Sequence, residues 1–591
     1  MKIKLIAILW AFELLAPIQA AVSSRIVPRS RDEAYARHGM VAAQHPIASQ
    51  IGVDILKRGG NAVDAAIGIG LALAVVYPEA GNIGGGGFML IRKAEGTFTS
   101  IDYREMAPAA ATRDVFVGPD GKLIKGEGGS SVGYRASGVP GTLAGFEMAF
   151  KKYGSGRIRW ADIVEPARAV AVNGYVLTHR LAELFKSYKQ TLERYPESKR
   201  IFLRNGNYYR LGETFRQPDL ARTLQRIKLN GASEFYRGQT ARMIAADMKA
   251  NGGLITLEDL RNYTPKERQP LRGTYRGNQI VTMPPPSSGG IVMLQVLNML
   301  EAYDLKNLGA NSAAKYHLFT EASRRAFADR AEFMADPDFA NVPAAQLIDK
   351  KYAAERRRSI DNDKADTSAK IGPGKLDGTQ VSESREACGR DIQCPEGTET
   401  THFTVVDKDG MVVTNTYTIN DLYGSRVTIK GTGVLMNDEM DDFAARPGTP
   451  NIFGLIQGER NKVEGGKRPL SSMTPTIVLR PDGSFWFATG ARGGPRIISA
   501  VMQIVINVID HGMDIQQAID APRIHHQWLP DEIMYEPNGM SPDTKRILDS
   551  YGHEFAEKPG YIASATGIMV NESGLRIGAI DFRADGAAIG Y

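Results

Sequence analysis

Between Ser359 and Glu399 the chain gives up its bulky apolar residues, and Lys, Asp, Ser, Thr and Gly dominate about forty positions. Such a segment has too little apolar surface to offset the entropy of ordering it, so a compact domain does not carry it as an ordinary internal loop. It divides the chain, and its composition suits either disorder or a place where the chain is processed. Strand patterning resumes abruptly at Thr400 to Val406. Asp407-Lys408-Asp409-Gly410 then makes a tight turn and Met411 to Ile419 returns, a hairpin directly downstream of a flexible linker.

Two more hairpins follow, Thr476 to Leu479 with Ser484 to Ala488, and Gly567 to Val570 with Leu575 to Ile580. Between them, Ile497, Ile498, Val501, Met502, Val505, Val508 and Ile509 recur at helical spacing and stop at Gly512. Upstream, apolar residues from Ile51 to Leu56 predict a helix closed by Gly59-Gly60, and Asn61 caps a second over Ala62 to Val76. Phe88 to Arg92 and Thr97 to Tyr103 form a further hairpin with Arg104 at its exit. Val139 to Arg358 is mostly helical, broken most plainly at Pro284 to Gly290, after which a helix runs from about Ile291 to Tyr303. Hairpins with helices segregated between them predict α+β layers, not a doubly wound parallel sheet.

The first twenty residues have the form of an export signal. Lys2 and Lys4 precede the apolar run Leu5 to Leu15, and Pro17-Ile18-Gln19-Ala20 offers a small-residue cleavage site. That run, interrupted by Glu13, is too short to span about 30 Å of hydrocarbon, so it predicts a cleaved signal over residues 1–20 and an exported, periplasmic or secreted product without a membrane span. Lys plus Arg total 72 against 66 acidic residues, interspersed along 591 positions, which argues against a nucleic-acid partner. The only cysteines, Cys388 and Cys394, lie within the linker and leave open a local disulfide or two free thiols. No Cys/His cluster has zinc spacing, and the adjacent His525 and His526 would point to opposite faces of a strand, so neither metal nor cofactor is expected.

The glycine cluster Gly84 to Gly87 is followed by a strand and no Gly-Lys-Ser/Thr, which excludes a phosphate loop, and no Gly-x-Ser-x-Gly elbow is present. Thr400 stands where the linker ends and a strand begins. A threonine hydroxyl needs a base, and its own α-amine, with an ordinary pKa of about 7.7 to 8.0, is suited to the task once the chain is cut before it. Otherwise Thr400 and Thr401 are a β-branched pair opening a strand. Across the hairpin Thr400 would oppose Tyr417 or Ile419, which leaves Thr418 within one residue and Asn420 on the face of Thr418.

These residues sit within longer stretches, Gly39 to Pro46, Gly59 to Ala66, Gly81 to Leu90, Tyr103 to Pro108, Pro284 to Gly290, Thr400-Thr401-His402, Asn437 to Phe443, Pro469 to Met473, Gly493-Gly494 and Arg523 to Trp528. From about Gly39 to Tyr591 the chain closely resembles the γ-glutamyltranspeptidase (glutathione hydrolase) family of N-terminal-nucleophile hydrolases. The resemblance implies a four-layer αββα sandwich and a precursor that cuts itself at Glu399/Thr400. A large subunit, residues 21–399 with linker 359–399, would stay associated with a small catalytic subunit, residues 400–591. It further implies that Thr400 takes a γ-glutamyl group from glutathione or a related compound as an acyl-enzyme, released to water or to an amino-acid or peptide amine. Thr418 would position Thr400, and the backbone N–H groups of Gly493 and Gly494 would form the oxyanion hole. Arg104, Ser471 and Ser472 match the family's α-carboxylate binders, and Asn420, Glu439 and Asp442 its ammonium side.

Because a γ-glutamyl group carries one carboxylate and one ammonium, cationic and anionic groups are expected at different ends of the site. Ala444 to Gly466 resembles a lid loop with Phe453 where many members have a gating tyrosine, and Arg492 adds a cation beside the glycine pair. Within the superfamily the alternatives are a cephalosporin (glutaryl) acylase, which tends to lack the lid, and a poly-γ-glutamate depolymerase. An unrelated alternative is a non-enzymatic periplasmic binding protein that never matures.

Overall fold

Alternate residues of the central strands serve two different cores, as the period of two of an extended chain requires. Val41 and Ala43, with Met89 and Ile91, join a helix-covered core, whereas Met40, Ala42 and Leu90 join a second core with Val281, Ile477, Ala488 and Ile568. The computed structural model describes residues 33–379 and 400–591. The expected export signal, Cys388, Cys394 and Glu399 lie outside the described residues.

Fourteen strands build two antiparallel sheets: β1 (Ala34–Ala36), β2 (Met40–Ala43), β3 (Gly86–Arg92), β4 (Phe98–Tyr103), β5 (Lys266–Arg268), β6 (Leu271–Tyr275), β7 (Asn278–Thr282), β8 (Thr401–Val406), β9 (Val412–Thr418), β10 (Thr476–Leu479), β11 (Phe485–Arg492), β12 (Ser564–Val570), β13 (Arg576–Ile580) and β14 (Ala587–Gly590). The first sheet runs β14-β2-β8-β9-β3-β4-β5 and the second β1-β13-β12-β11-β10-β7-β6. Helices α1 (Pro46–Lys57) and α2 (Ala62–Val76) cover the first sheet. Helices α3 (Gly289–Leu300), α4 (Ala313–Phe333) and α5 (Arg496–Ile509) belong to the core on the outer side of the second. The core that takes Met40, Ala42 and Leu90 lies between the sheets and completes the αββα sandwich.

Asn61 caps α2 as its sequence signature predicts, accepting from the backbone N–H groups of Val63 and Asp64 while the Asp64 carboxylate receives the Asn61 N–H. All fifteen α2 residues are buried, which explains its unbroken apolar run. The sheets interleave the two sides of the linker. In the first, β8, β9 and β14 lie among strands drawn from upstream, and in the second β1, β6 and β7 flank strands from downstream. A cut before Thr400 would therefore leave two chains sharing both sheets and all three cores.

The linker differs from the uniformly flexible segment expected. Its described part, 359–379, has no helix or strand yet is anchored: Arg325 donates to the Ser359 carbonyl at 2.8 Å and pairs with Asp366, Trp528 Nε1 donates to the carbonyls of Ser368 and Ile371, and the Gly374 N–H reaches Asp329 at 2.7 Å. Buried polar groups on distant elements supply the order that composition could not foretell.

Candidate active site

Strand β8 begins at Thr401, and Thr401 pairs with Tyr417, so the register places Thr400 opposite Thr418. This corrects the expected partners Tyr417 or Ile419 and brings the two hydroxyls together, Thr400 Oγ1 to Thr418 Oγ1 being 3.0 Å. The Asn420 N–H donates to Thr418 Oγ1 at 2.9 Å, which leaves the Thr418 hydrogen free to donate to Thr400. Asn420 stands at φ 74° and donates through Nδ2 to the Asp438 carbonyl. Thr400 itself is held at φ 85°, a sparsely populated region for a β-branched residue.

Arg104, Thr400, Thr418, Asn420, Glu439, Asp442, Phe453, Ser471, Ser472 and Gly494 line one pocket, with Leu455, Met473, Pro495 and Ile497 as its apolar wall. Gly493 adjoins Gly494 at the start of α5. Both glycines have positive φ, 131° and 55°, and a Cβ on Gly493 would lie 2.9 Å from the Ala563 Cα. An L side chain at Gly493 would have to displace that backbone, and one at Gly494 would press on the Phe453 ring 3.1 Å away, so both positive-φ positions favour glycine.

The charges are arranged otherwise than expected. Arg104 is fully buried and pairs directly with Glu439 and Asp442, with Glu105 Oε2 3.6 Å away, so cation and anions meet in one cluster, not at opposite ends. The Arg104 guanidinium also donates to the carbonyls of Pro469 and Leu470, each at 3.2 Å, which ties the strand exit after β4 to the serine-bearing segment. Burial pushes Glu439 well above the ordinary carboxylate range and Glu105 up to about 7, with Arg104 pulling both the other way. Burial likewise raises Asp442.

Ser471 and Ser472 are held by the Pro284 to Gly290 loop. The Ser471 N–H donates to the Pro286 carbonyl at 2.9 Å, and the Ser288 N–H and hydroxyl both reach the Ser471 carbonyl at 2.7 Å. The lid segment is tied to the acidic turn. Asp441 accepts the Ile452 N–H at 2.9 Å, Asn451 donates to Asp442 at 3.2 Å and caps the N–H groups of Phe453 and Leu455, and Gln527 donates to the Phe453 carbonyl at 3.0 Å. The Phe453 ring stands over Gly494, 3.1 Å from where a Cβ would be. Arg492 does not line the pocket. It is buried, with its guanidinium 5.8 Å from the centre of the Tyr77 ring.

His402, on the Thr400 face of β8, lies between the sheets and hydrogen-bonds Thr416 at 2.8 Å; burial lowers it to about 3, so it is neutral. His525 bonds Ser499 and Gln527 while His526 faces Asp531, and no group of metal-ligating side chains is found among the described residues. None of their helices is long and apolar enough to cross a membrane.

The family model for γ-glutamyltranspeptidases matches residues 48–591. The chain belongs to the γ-glutamyltranspeptidase family. The glutathione hydrolase proenzyme of Escherichia coli strain K12 is 47% identical over 559 residues, covering 94% of this chain and 92% of that one. Among solved structures, a cephalosporin acylase from Bacillus halodurans superposes with a TM-score of 0.81 at 27% identity, covering 96% of this chain and 98% of its own. The γ-glutamyltranspeptidase of Helicobacter pylori superposes with a TM-score of 0.55 at 46% identity, covering 56% of this chain and 94% of its own. The fold is thus that of N-terminal-nucleophile hydrolases.

Sequence reasoning missed the apolar wall and Glu105. Met473 stands inside the stretches that carry the γ-glutamyltranspeptidase resemblance and Leu455 within the lid, but nothing in their spacing marks them as pocket residues, and nothing in the spacing of Glu105 marks it as a neighbour of the Arg104 guanidinium.

Proposed function

We propose that this chain is a γ-glutamyl hydrolase and transferase that cuts itself at Glu399/Thr400 and then uses Thr400 as nucleophile. The observation that carries the reading is the Thr400–Thr418 hydroxyl pair, 3.0 Å apart, opening into a pocket of buried charged and hydroxyl groups. In the precursor the Thr400 nitrogen is an amide and cannot serve as base. Attack of Thr400 Oγ1 on the Glu399 carbonyl, with transfer of the acyl group from nitrogen to oxygen and hydrolysis of the ester by water, would release the Glu399 carboxylate and free the Thr400 α-amine. The positive φ of Thr400 supports this step, because strain of about 1–3 kcal/mol in the bonded backbone is relieved when the peptide bond is lost.

In the mature enzyme the α-amine takes the Thr400 hydroxyl proton, Oγ1 attacks the γ-carbonyl of glutathione or a related donor, and the Gly493 and Gly494 N–H groups receive the developing oxyanion. The acyl-enzyme passes to water or to an amino-acid or peptide amine. Arg104, Ser471 and Ser472 are assigned to the donor α-carboxylate, and Asn420, Glu439 and Asp442 to its ammonium. Arg104 already has carboxylate partners, so a donor carboxylate would have to share or displace them while its ammonium takes over the freed acidic groups. A zwitterionic γ-glutamyl group can make that exchange and a glutaryl group cannot, which favours γ-glutamyl donors over the acylase alternative. We assign Phe453 to the lid and the first twenty residues to export.

The test is maturation. Purified wild type should give two fragments whose smaller member begins at Thr400, and Thr400→Ala should stay whole. A small fragment beginning elsewhere, or a cleaved Thr400→Ala, refutes the assignment.

A further inference from the structure

Arg330, in the last turn of α4, is buried and has no carboxylate within ion-pair distance among the described residues. Among the buried arginines, Arg104, Arg324, Arg325, Arg426, Arg468 and Arg523 each pair with at least one carboxylate. A buried guanidinium without an anion is unfavourable unless something supplies one. Here the protein offers only hydroxyls: Nε donates to Ser288 Oγ at 2.9 Å, Nη2 lies 3.4 Å from Ser472 Oγ, and Nη1 is buried with no hydrogen-bond partner.

Arginine can only donate, and this fixes the direction of every bond in the group. Ser472 Oγ must accept from Arg330, so its hydrogen is left for the pocket that Ser472 lines. Ser288 Oγ accepts from Arg330 Nε and passes its hydrogen to the Ser471 carbonyl at 2.7 Å. Ser471 Oγ accepts the Met473 N–H at 3.2 Å, which leaves its hydrogen free as well. One cation therefore bears directly on the Ser472 hydroxyl and, through Ser288, on the backbone that carries Ser471, and adds a positive charge behind both whose nearby anion, Asp442, is already paired with Arg104. That is an environment for a carboxylate.

We infer that Arg330 is a positioning residue that aims the Ser471 and Ser472 hydroxyls at the donor α-carboxylate and makes the pocket discriminate for donors that carry one. The inference rests on the γ-glutamyl reading above and deepens it. Arg104 does not make it redundant, because Arg104 is directly ion-paired with Glu439 and Asp442 whereas Arg330 makes no direct ion pair and feels Asp442 only at longer range.

Three p-nitroanilides test it: γ-glutamyl, 4-aminobutyryl, which lacks only the α-carboxylate, and glutaryl, which lacks only the ammonium. In Arg330→Lys and Arg330→Gln the preference for γ-glutamyl over 4-aminobutyryl in kcat/KM should fall about tenfold or more, since neither side chain can bond both hydroxyls in the planar fork of arginine. The preference for γ-glutamyl over glutaryl should stay within about threefold, and the loss should appear in KM, with kcat within about threefold of wild type. If neither variant matures, Ser288→Ala, which cuts the link to Ser471 but keeps the cation, should still lower the carboxylate preference about threefold. Unchanged carboxylate preference in the matured Arg330 variants, or in Ser288→Ala when they do not mature, overturns the inference. Equal loss toward all three anilides also overturns it, because a merely structural role would produce that pattern. Wild type that leaves the γ-glutamyl anilide intact would instead overturn the γ-glutamyl reading itself.

Discussion

Replacing Arg104 by alanine should damage stability and donor binding by separate amounts, and pH separates them. The side chain is fully buried, with Glu439, Asp442 and Glu105 around it and the carbonyls of Pro469 and Leu470 accepting from it. Removing one partner of a buried ion pair typically costs about 3–5 kcal/mol, because the remaining charge is stranded. With an unfolding entropy of about 2.1 cal/mol/K per residue, a chain of 591 residues shifts by about 0.8 °C per kcal/mol, so that is a fall of roughly 2–4 °C in Tm at alkaline pH.

The stranded carboxylates can escape by taking up protons, which gives the loss its pH dependence. Burial already raises Glu105, Glu439 and Asp442, and Arg104 lowers each of them, so all three move further up when it is removed. A carboxylate whose folded value is raised binds more protons folded than unfolded. Its contribution to stability is complete below its unfolded value of about 4, and is lost as pH rises through the folded value. For Glu105 in the wild type that value is about 7. The gap in Tm between Arg104→Ala and wild type should therefore be small near pH 5 and widest near pH 8. Melting curves of the two proteins across that range measure it, and a gap that is constant with pH refutes the argument. In molecules that do mature, KM for a γ-glutamyl anilide should rise roughly 10- to 150-fold, the equivalent of about 1.5–3 kcal/mol for a charge-assisted hydrogen bond.

Two further outcomes follow from the same site. If the Thr400 α-amine is the base, hydrolysis should rise with pH through an apparent pKa of about 7 to 8, and transfer should peak at more alkaline pH, since the acceptor amine must also lose a proton; a flat hydrolysis profile from pH 6 to 9 contradicts it. Phe453 stands over Gly494 without a hydroxyl, so Phe453→Tyr should raise the transfer-to-hydrolysis ratio at neutral pH, and an unchanged or lower ratio, measured by product analysis with a dipeptide acceptor, shows that this position does not govern partitioning.

Patterns with a short physical range were legible in the sequence alone. The α2 limits follow from the Asn61 cap and the stop at Pro78, and the β8–β9 hairpin from period-two alternation about a four-residue turn. The segment after Ser359 was recognisable by composition, and Thr400 by its place at the end of it. The joint resemblance of ten stretches pointed to the pocket residues, because a family match reports positions that folding has already brought together. What only the tertiary structure decided are relations between distant segments. The hairpin register that sets Thr400 opposite Thr418 is fixed in part by β2 and β3 on either side. The anchoring of residues 359–379 comes from Arg325, Asp329 and Trp528, on elements whose local sequence gives no sign of it. The same holds for charge: whether Arg104 faces Glu439, and whether Arg330 faces any carboxylate, depends on how buried side chains from four separated stretches meet, and Coulomb forces at a few ångströms leave no period in a sequence.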